Sequence, residues 1–211
     1  LSSAKDARSI KNDEEWKIME RLSEKLTSYV IKAGGVSEQL YAVYQYGFQI
    51  GLEMLCCFIT CLAIAVYLHM IPKFIVFTTI FILMRTYAGG VHLNSFLSCY
   101  LCSVIVQTVV LVVSGIFSLS ASWAWIFIVT GSALILKCTP VETLSRELDS
   151  DEKIHCKKVT IRIIAAIFLF AGCCTLCGLH EMTSLIALTI AVVWFSQYIG
   201  IIKYKIEKAS K

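Results

Sequence analysis

Long apolar runs, few charges and basic residues gathered to one side predict an all-α, polytopic membrane protein. The expectation is about six transmembrane helices preceded by an interfacial amphipathic helix. Of 211 residues, 57% are hydrophobic and 16% charged, and the mean hydropathy is +0.74. Such a composition excludes a soluble globular domain. Several runs reach ~20 residues, the length an α-helix needs to cross a bilayer.

The elements follow in order. Residues 1–40 form an N-terminal segment that mixes both charge signs and does not read as a secretion signal. Its first dozen residues are polar and expected to be disordered. From Asp13 to about Ala33, Trp16, Met19, Leu22, Leu26 and Val30 recur at helical spacing among Glu and Lys, as in a helix lying in the membrane interface. Gly34-Gly35 ends it. The first span covers about Tyr41 to Met70 and is broken by Pro72. The second, Pro72 to Arg85, is short, because Lys73 and Arg85 bracket only about a dozen residues. It is either a thin or tilted span or a re-entrant one. The third runs from about Ser95 to Phe117 and the fourth from about Ser122 to Lys137. A polar segment with Pro140 covers Cys138 to Lys158. The fifth span is about Val159 to Leu179 and the sixth about Thr183 to Ile202, so the membrane domain occupies 41–202. A basic tail, 203–211, completes the chain.

With six crossings, 18 of the 19 basic residues fall on the side of the N-terminus, and Lys73 alone on the other. The positive-inside rule then places both termini in the cytoplasm, together with the turn after the second span. Dropping one span would scatter the basic residues over both sides.

That turn, Arg85-Thr86-Tyr87-Ala88-Gly89-Gly90-Val91-His92-Leu93-Asn94-Ser95, is the one densely polar interruption between two long apolar runs. Cys99 follows His92 by seven residues. Along one continuous helix this would separate their Cα atoms by ~10 Å, too far for a hydrogen bond. Gly89-Gly90 lets the backbone turn, and Asn94 or Ser95 suits the N-cap of a helix from about Phe96. His92 would then lie before the cap, able to fold back toward a thiol near the helix N-terminus, where a thiolate is favoured. The reading is a Cys99/His92 nucleophile–base pair at a membrane surface.

The other cysteines read differently. Of the ten, Cys56, Cys57, Cys61, Cys102, Cys173, Cys174 and Cys177 fall inside apolar runs, as small packing residues do. Neither a disulfide framework nor a metal site is expected, and no cofactor. Among polar residues within the spans, Tyr46, Gln49 and Glu53 share one face of the first helix. Cys99, Ser103 and Gln107 share one face of the third. Two such stripes could meet in a hydrated groove beside the thiol, which makes Tyr46, Ser103 and Gln107 substrate-binding candidates. For Gln107 a plain interhelical hydrogen bond is an equal alternative. Glu53, more than two turns inside the membrane, calls for protonation or a partner, and Arg85 is a candidate partner.

The run from Arg85 through Gly89, Gly90 and His92 to Cys99 resembles the signature of the AgrB family of bacterial quorum-sensing membrane endopeptidases. The resemblance extends to the amphipathic N-terminal helix, Tyr46-Gly47-Phe48-Gln49 opening the first span, the Pro140-containing connection and the basic tail. Gln49 matches a glutamine that family members carry near the start of that span. The cysteine content exceeds what the family would lead one to expect.

The resemblance implies a multi-pass protein of the bacterial cytoplasmic membrane that acts on an AgrD-like propeptide. Cys99 would attack the carbonyl before the acidic tail, and His92 would move the proton. The propeptide's own cysteine would then close a thiolactone ring, making a cyclic autoinducing peptide. Gln49, Arg85, Gly89, Gly90 and Glu53 are supporting or oxyanion-donor candidates. Expected partners are the propeptide and the lipid bilayer; small residues in the spans permit pairing with a second copy of the chain in a homodimer, the oligomeric state being open, and nucleic acid is not among the partners. Two rival readings use the same residues. A small transporter or peptide exporter would take Glu53 as coupling group, but no inverted repeat of broken helices is evident. A membrane thiol oxidoreductase would use Cys99/Cys102, but the outer loops lack a shuttle cysteine pair.

Overall fold

The computed structural model describes residues 21–32, 40–90, 96–141 and 149–209, and among these all regular secondary structure is helical. Helix α1 covers 21–32. Six longer helices follow: α2 (Tyr41–Tyr67), α3 (Ile71–Ala88), α4 (Phe96–Ile116), α5 (Ala121–Cys138), α6 (Ser150–Leu176) and α7 (His180–Ala209). Each of the six is long and apolar enough to cross a membrane. The six expected spans are therefore all present.

Boundaries differ where charge and helix part company. Helix α3 has 18 residues, about 27 Å at 1.5 Å per residue, enough for a bilayer core. Lys73 and Arg85 lie inside its first and last turns rather than outside it, which is why counting between them makes the span look short. Pro72 sits in the first turn, where its missing N–H is no loss. Helix α6 begins at Ser150, within the expected polar connection. Asp149 caps it by accepting from the Ser150 N–H at 2.7 Å, and Asp151 and Glu152 suit its positive end. Lys203, Lys205 and Lys208 continue α7 as helix.

The chain forms two compact units, residues 1–63 with 93–105 and residues 64–92 with 106–211. In the first, α1 buries Ser23 and Thr27 and turns Leu22, Leu26 and Tyr29 outward, as a helix resting on lipid requires. The part of the amphipathic pattern before residue 21 lies outside the described residues. Most large side chains of α2, among them Met54, Leu55, Phe58 and Ile59, are likewise exposed. In a bilayer such surface needs no protein cover.

In the second unit α7 packs against α5, α3 and α6. Its apolar middle is built from Ile80 and Met84 of α3, Ile128 and Ile135 of α5, Ile164 and Ile167 of α6, and Ile186 and Ile190 of α7. Ala124, Ile128, Ser132 and Ile135 form one buried stripe of α5. Small residues there let the backbones approach: a Cβ on Gly131 would come within 2.6 Å of Ile190 Cγ2.

Polar contacts close this unit at both ends. At one, Lys73 Nζ donates to the Ser114 carbonyl at 2.9 Å and pairs with Glu181 at 2.9 Å. Nearby in the chain order, Trp125 Nε1 donates to Thr175 Oγ1, and Ser184 Oγ accepts from the Leu119 N–H. Reversals at that end are tight. Helix α2 ends with His69 at φ 55° and α6 with Gly178 at φ 73°. In each the following N–H reaches back five residues, Met70 to Ala65 and Leu179 to Cys174, which satisfies end carbonyls. At the other end lie Arg85, the glycine pair and the turn after α5.

Candidate functional site

The glycine turn grows out of the last turn of α3. Its carbonyls there have no partner within the helix and must find one elsewhere. Ala88 O accepts from two directions: the Val141 N–H at 3.2 Å and Gln197 Nε2 at 3.0 Å. Gly89 follows at φ 83°, ψ −177°, a conformation essentially confined to glycine. A Cβ there would meet Val141 O at 2.9 Å and Val141 Cβ at 3.0 Å. At Gly90 a Cβ would meet Ser196 Oγ at 2.8 Å and Arg85 Nη1 at 3.2 Å. Both glycines are therefore demanded by close neighbours from distant segments.

Arg85 is half-buried in the last turn of α3. Its Nη1 donates to Ser196 Oγ at 3.1 Å, and its guanidinium carbon stands 5.9 Å from the Phe81 ring centroid. Glu53, for which Arg85 was a candidate partner, receives Gln49 Nε2 at 3.5 Å along the same face of α2. Gln49 and Glu53 are both half-buried.

Helix α4 begins at Phe96, and Cys99 is half-buried in its first turn. His92 and the expected cap residues Asn94 and Ser95 lie outside the described residues, as does the side chain of Tyr46. Helices α2 and α4 are in contact through Thr60 and Tyr100, neither of which belongs to the two expected polar stripes. Thr60 Oγ1 and Tyr100 Oη are 2.9 Å apart. Thr60 lies about two turns further along α2 than Glu53 and about three turns further than Gln49. Gln107 is buried, and its Nε2 has no partner among the described residues. None of the ten cysteines is in a disulfide, and no cluster of metal ligands occurs among the described residues.

Sequence reasoning missed the residues that hold the turn: Ser196 and Gln197 of α7, with Thr139 and Val141 after α5. Ser196-Gln197 is a polar pair interrupting the later half of the sixth span, and that interruption was the available signal.

Six apolar helices, with one unit of the bundle laced by polar contacts at its ends, define a helical multi-pass membrane protein. The family model of accessory gene regulator B (AgrB) matches residues 23–201, most of the chain, and the protein belongs to that family. Membership suggests a role in processing a quorum-sensing propeptide. No curated protein and no solved structure showed significant similarity to the chain.

Proposed function

We propose that the protein is a cysteine endopeptidase of the cytoplasmic membrane that removes the C-terminal tail of an AgrD-like propeptide and promotes closure of a thiolactone ring. What carries this reading is a family match that spans the His92-to-Cys99 segment. Cys99 in the first turn of α4 adds to it, because the positive end of a helix favours the thiolate.

The chemistry balances with these two residues and the substrate. His92 accepts the Cys99 thiol proton, and the thiolate attacks the carbonyl that precedes the acidic tail. Collapse of the tetrahedral adduct breaks the peptide bond. The imidazolium gives its proton to the leaving amine, the tail departs, and a thioester to Cys99 remains. The propeptide's own thiol then loses its proton to His92 and attacks that thioester, forming the thiolactone. Cys99 leaves as thiolate and recovers the proton. One thioester replaces another, so the step is nearly balanced in energy, and water must be kept away from the acyl-enzyme. Gln49 and Glu53 are candidates to support the site from α2, and Ser103 and Gln107 to contact the peptide from α4. The basic tail, 203–211, with four lysines and one glutamate, suits an acidic substrate tail.

Co-expression with a candidate propeptide tests the reading. Cys99→Ala and His92→Ala are expected to abolish tail release, whereas Cys102→Ala, one turn further along α4 and exposed, is expected to retain it. Mass spectrometry should find the tail-less peptide as a thioester on Cys99. Normal cleavage by Cys99→Ala would end the proposal.

A further inference from the structure

Thr60 on α2 and Tyr100 on α4 belong to one compact unit. Thr60 Oγ1 donates to Cys56 O at 3.0 Å, back along its own helix. A threonine hydroxyl has a single proton, so the 2.9 Å bond between Thr60 Oγ1 and Tyr100 Oη takes its proton from the phenol. The start of α4 is thus tied, from phenol to hydroxyl to carbonyl, to the backbone of α2. On both helices much of the neighbouring apolar surface, Phe58 and Ile59 of α2 and Leu101 and Ile105 of α4, is exposed. In lipid such surface has no hydrophobic reason to find a protein partner, so close packing and interhelical hydrogen bonds decide how the two helices sit. Cys99 directly precedes Tyr100 and is half-buried. Their Cα atoms stand ~3.8 Å apart across one peptide, and on a helix any rotation or slide at Tyr100 carries the thiol with it.

We propose that Tyr100, anchored on Thr60, is a positioning residue for the nucleophile. The bond sets the rotation and depth of the first turns of α4 against α2, and with them the place where the Cys99 sulfur stands. Successive residues of a helix lie ~100° apart around its axis, so with the phenol on α2 the thiol is turned to one side of that contact. Attack on a carbonyl tolerates little displacement of the nucleophile, so a side chain that locks the helix influences chemistry without touching substrate. The inference rests on the peptidase reading above, and its test separates the two.

The test has two readouts on the full-length protein in detergent. The first needs no substrate: the rate of Cys99 alkylation by iodoacetamide relative to that of Cys102, read by peptide mapping. Cys102 is exposed one turn further along α4 and reports general loosening. Tyr100→Phe removes the donor, and Thr60→Val keeps the shape but removes the acceptor. Each should free the half-buried Cys99 and raise its relative rate several-fold, and the double variant should go no further than either. Thr60→Ser keeps a hydroxyl and should stay near the wild-type ratio. The second readout is tail release from a synthetic propeptide with an acidic tail. There Tyr100→Phe and Thr60→Val should lose roughly tenfold or more in maximal rate with little change in the half-saturating concentration, since a misplacement of ~1 Å can cost ~100-fold. Wild-type alkylation ratios and maximal rates in folded Tyr100→Phe and Thr60→Val overturn the positioning role, as do effects that multiply in the double variant. Should Tyr100→Phe not fold, Thr60→Val decides alone. Normal cleavage by Cys99→Ala, with the alkylation ratios displaced, defeats the peptidase reading and leaves the tie between the helices standing.

Discussion

Arg85 Nη1 donates to Ser196 Oγ at 3.1 Å, and the same hydroxyl lies 2.8 Å from where a side chain on Gly90 would begin. The arginine of the signature is therefore engaged with α7, and the space over Gly90 is already taken by that engagement. Gly90→Ala must push Ser196 aside and disturb the Arg85 contact. The expected result is a loss of at least about tenfold in the rate of tail release, or about 1.4 kcal/mol. Adding Ser196→Ala makes room for the new methyl group, since Ser196 Cβ is 3.8 Å away. The double variant should regain part of the loss, and strictly additive losses in a double-mutant cycle would refute the contact.

Gly89 faces a different constraint, because its backbone itself is out of reach for other residues. At φ 83°, ψ −177° an L-residue is strained by about 1–3 kcal/mol, and the clash with Val141 O involves backbone, which cannot rotate away. Gly89→Ala should destabilise the protein by about 2–4 kcal/mol. Thermal denaturation in detergent measures this, and an unchanged midpoint would contradict the described turn.

How much of this was legible beforehand follows from what each signal reports. Hydropathy marks where a chain crosses lipid, so all six helices could be found from apolar runs alone. It does not mark where a helix starts, and α6 runs through Asp151–Lys158 because charged residues are good helix formers outside the bilayer. Arg85 and the two glycines stood out as a local motif. Their partners did not, since Ser196 and Gln197 lie more than a hundred residues downstream and nothing in the spacing links the two stretches. Glu53 receives Gln49 one helical turn away, and Arg85 donates to Ser196.

The packing of α5 on α7 depends on the absence of a side chain at Gly131. A methyl group would stand 2.6 Å from Ile190 Cγ2, and both helices are locked into the same buried cluster. Gly131→Ala should cost about 1–3 kcal/mol through overpacking. Ile190→Leu moves the branch from Cβ to Cγ and removes the offending atom. Combined with Gly131→Ala, it should recover stability in thermal unfolding, although Ile190→Leu alone is mildly destabilising. A Gly131→Ala protein as stable as the parent would mean that the helices are further apart than described.

Orientation in the membrane gives the last prediction. Six crossings of a membrane would leave Lys73, which is tied to Ser114 and Glu181, as the one basic residue on its side. Arg85, Lys137, Lys153, Lys157, Lys158 and the lysines of the α7 end would then belong to the other. Basic residues near the ends of spans are retained in the cytoplasm, so the end of α7 and the glycine turn should both be cytoplasmic. A green fluorescent protein fused after Lys211 should fluoresce, and alkaline phosphatase fused there should be inactive. Fusions after Phe117, in the α4–α5 connection, should behave in the opposite way. Active phosphatase at the C-terminus would put the turn on the outer face, where a propeptide made in the cytosol could not meet it before crossing.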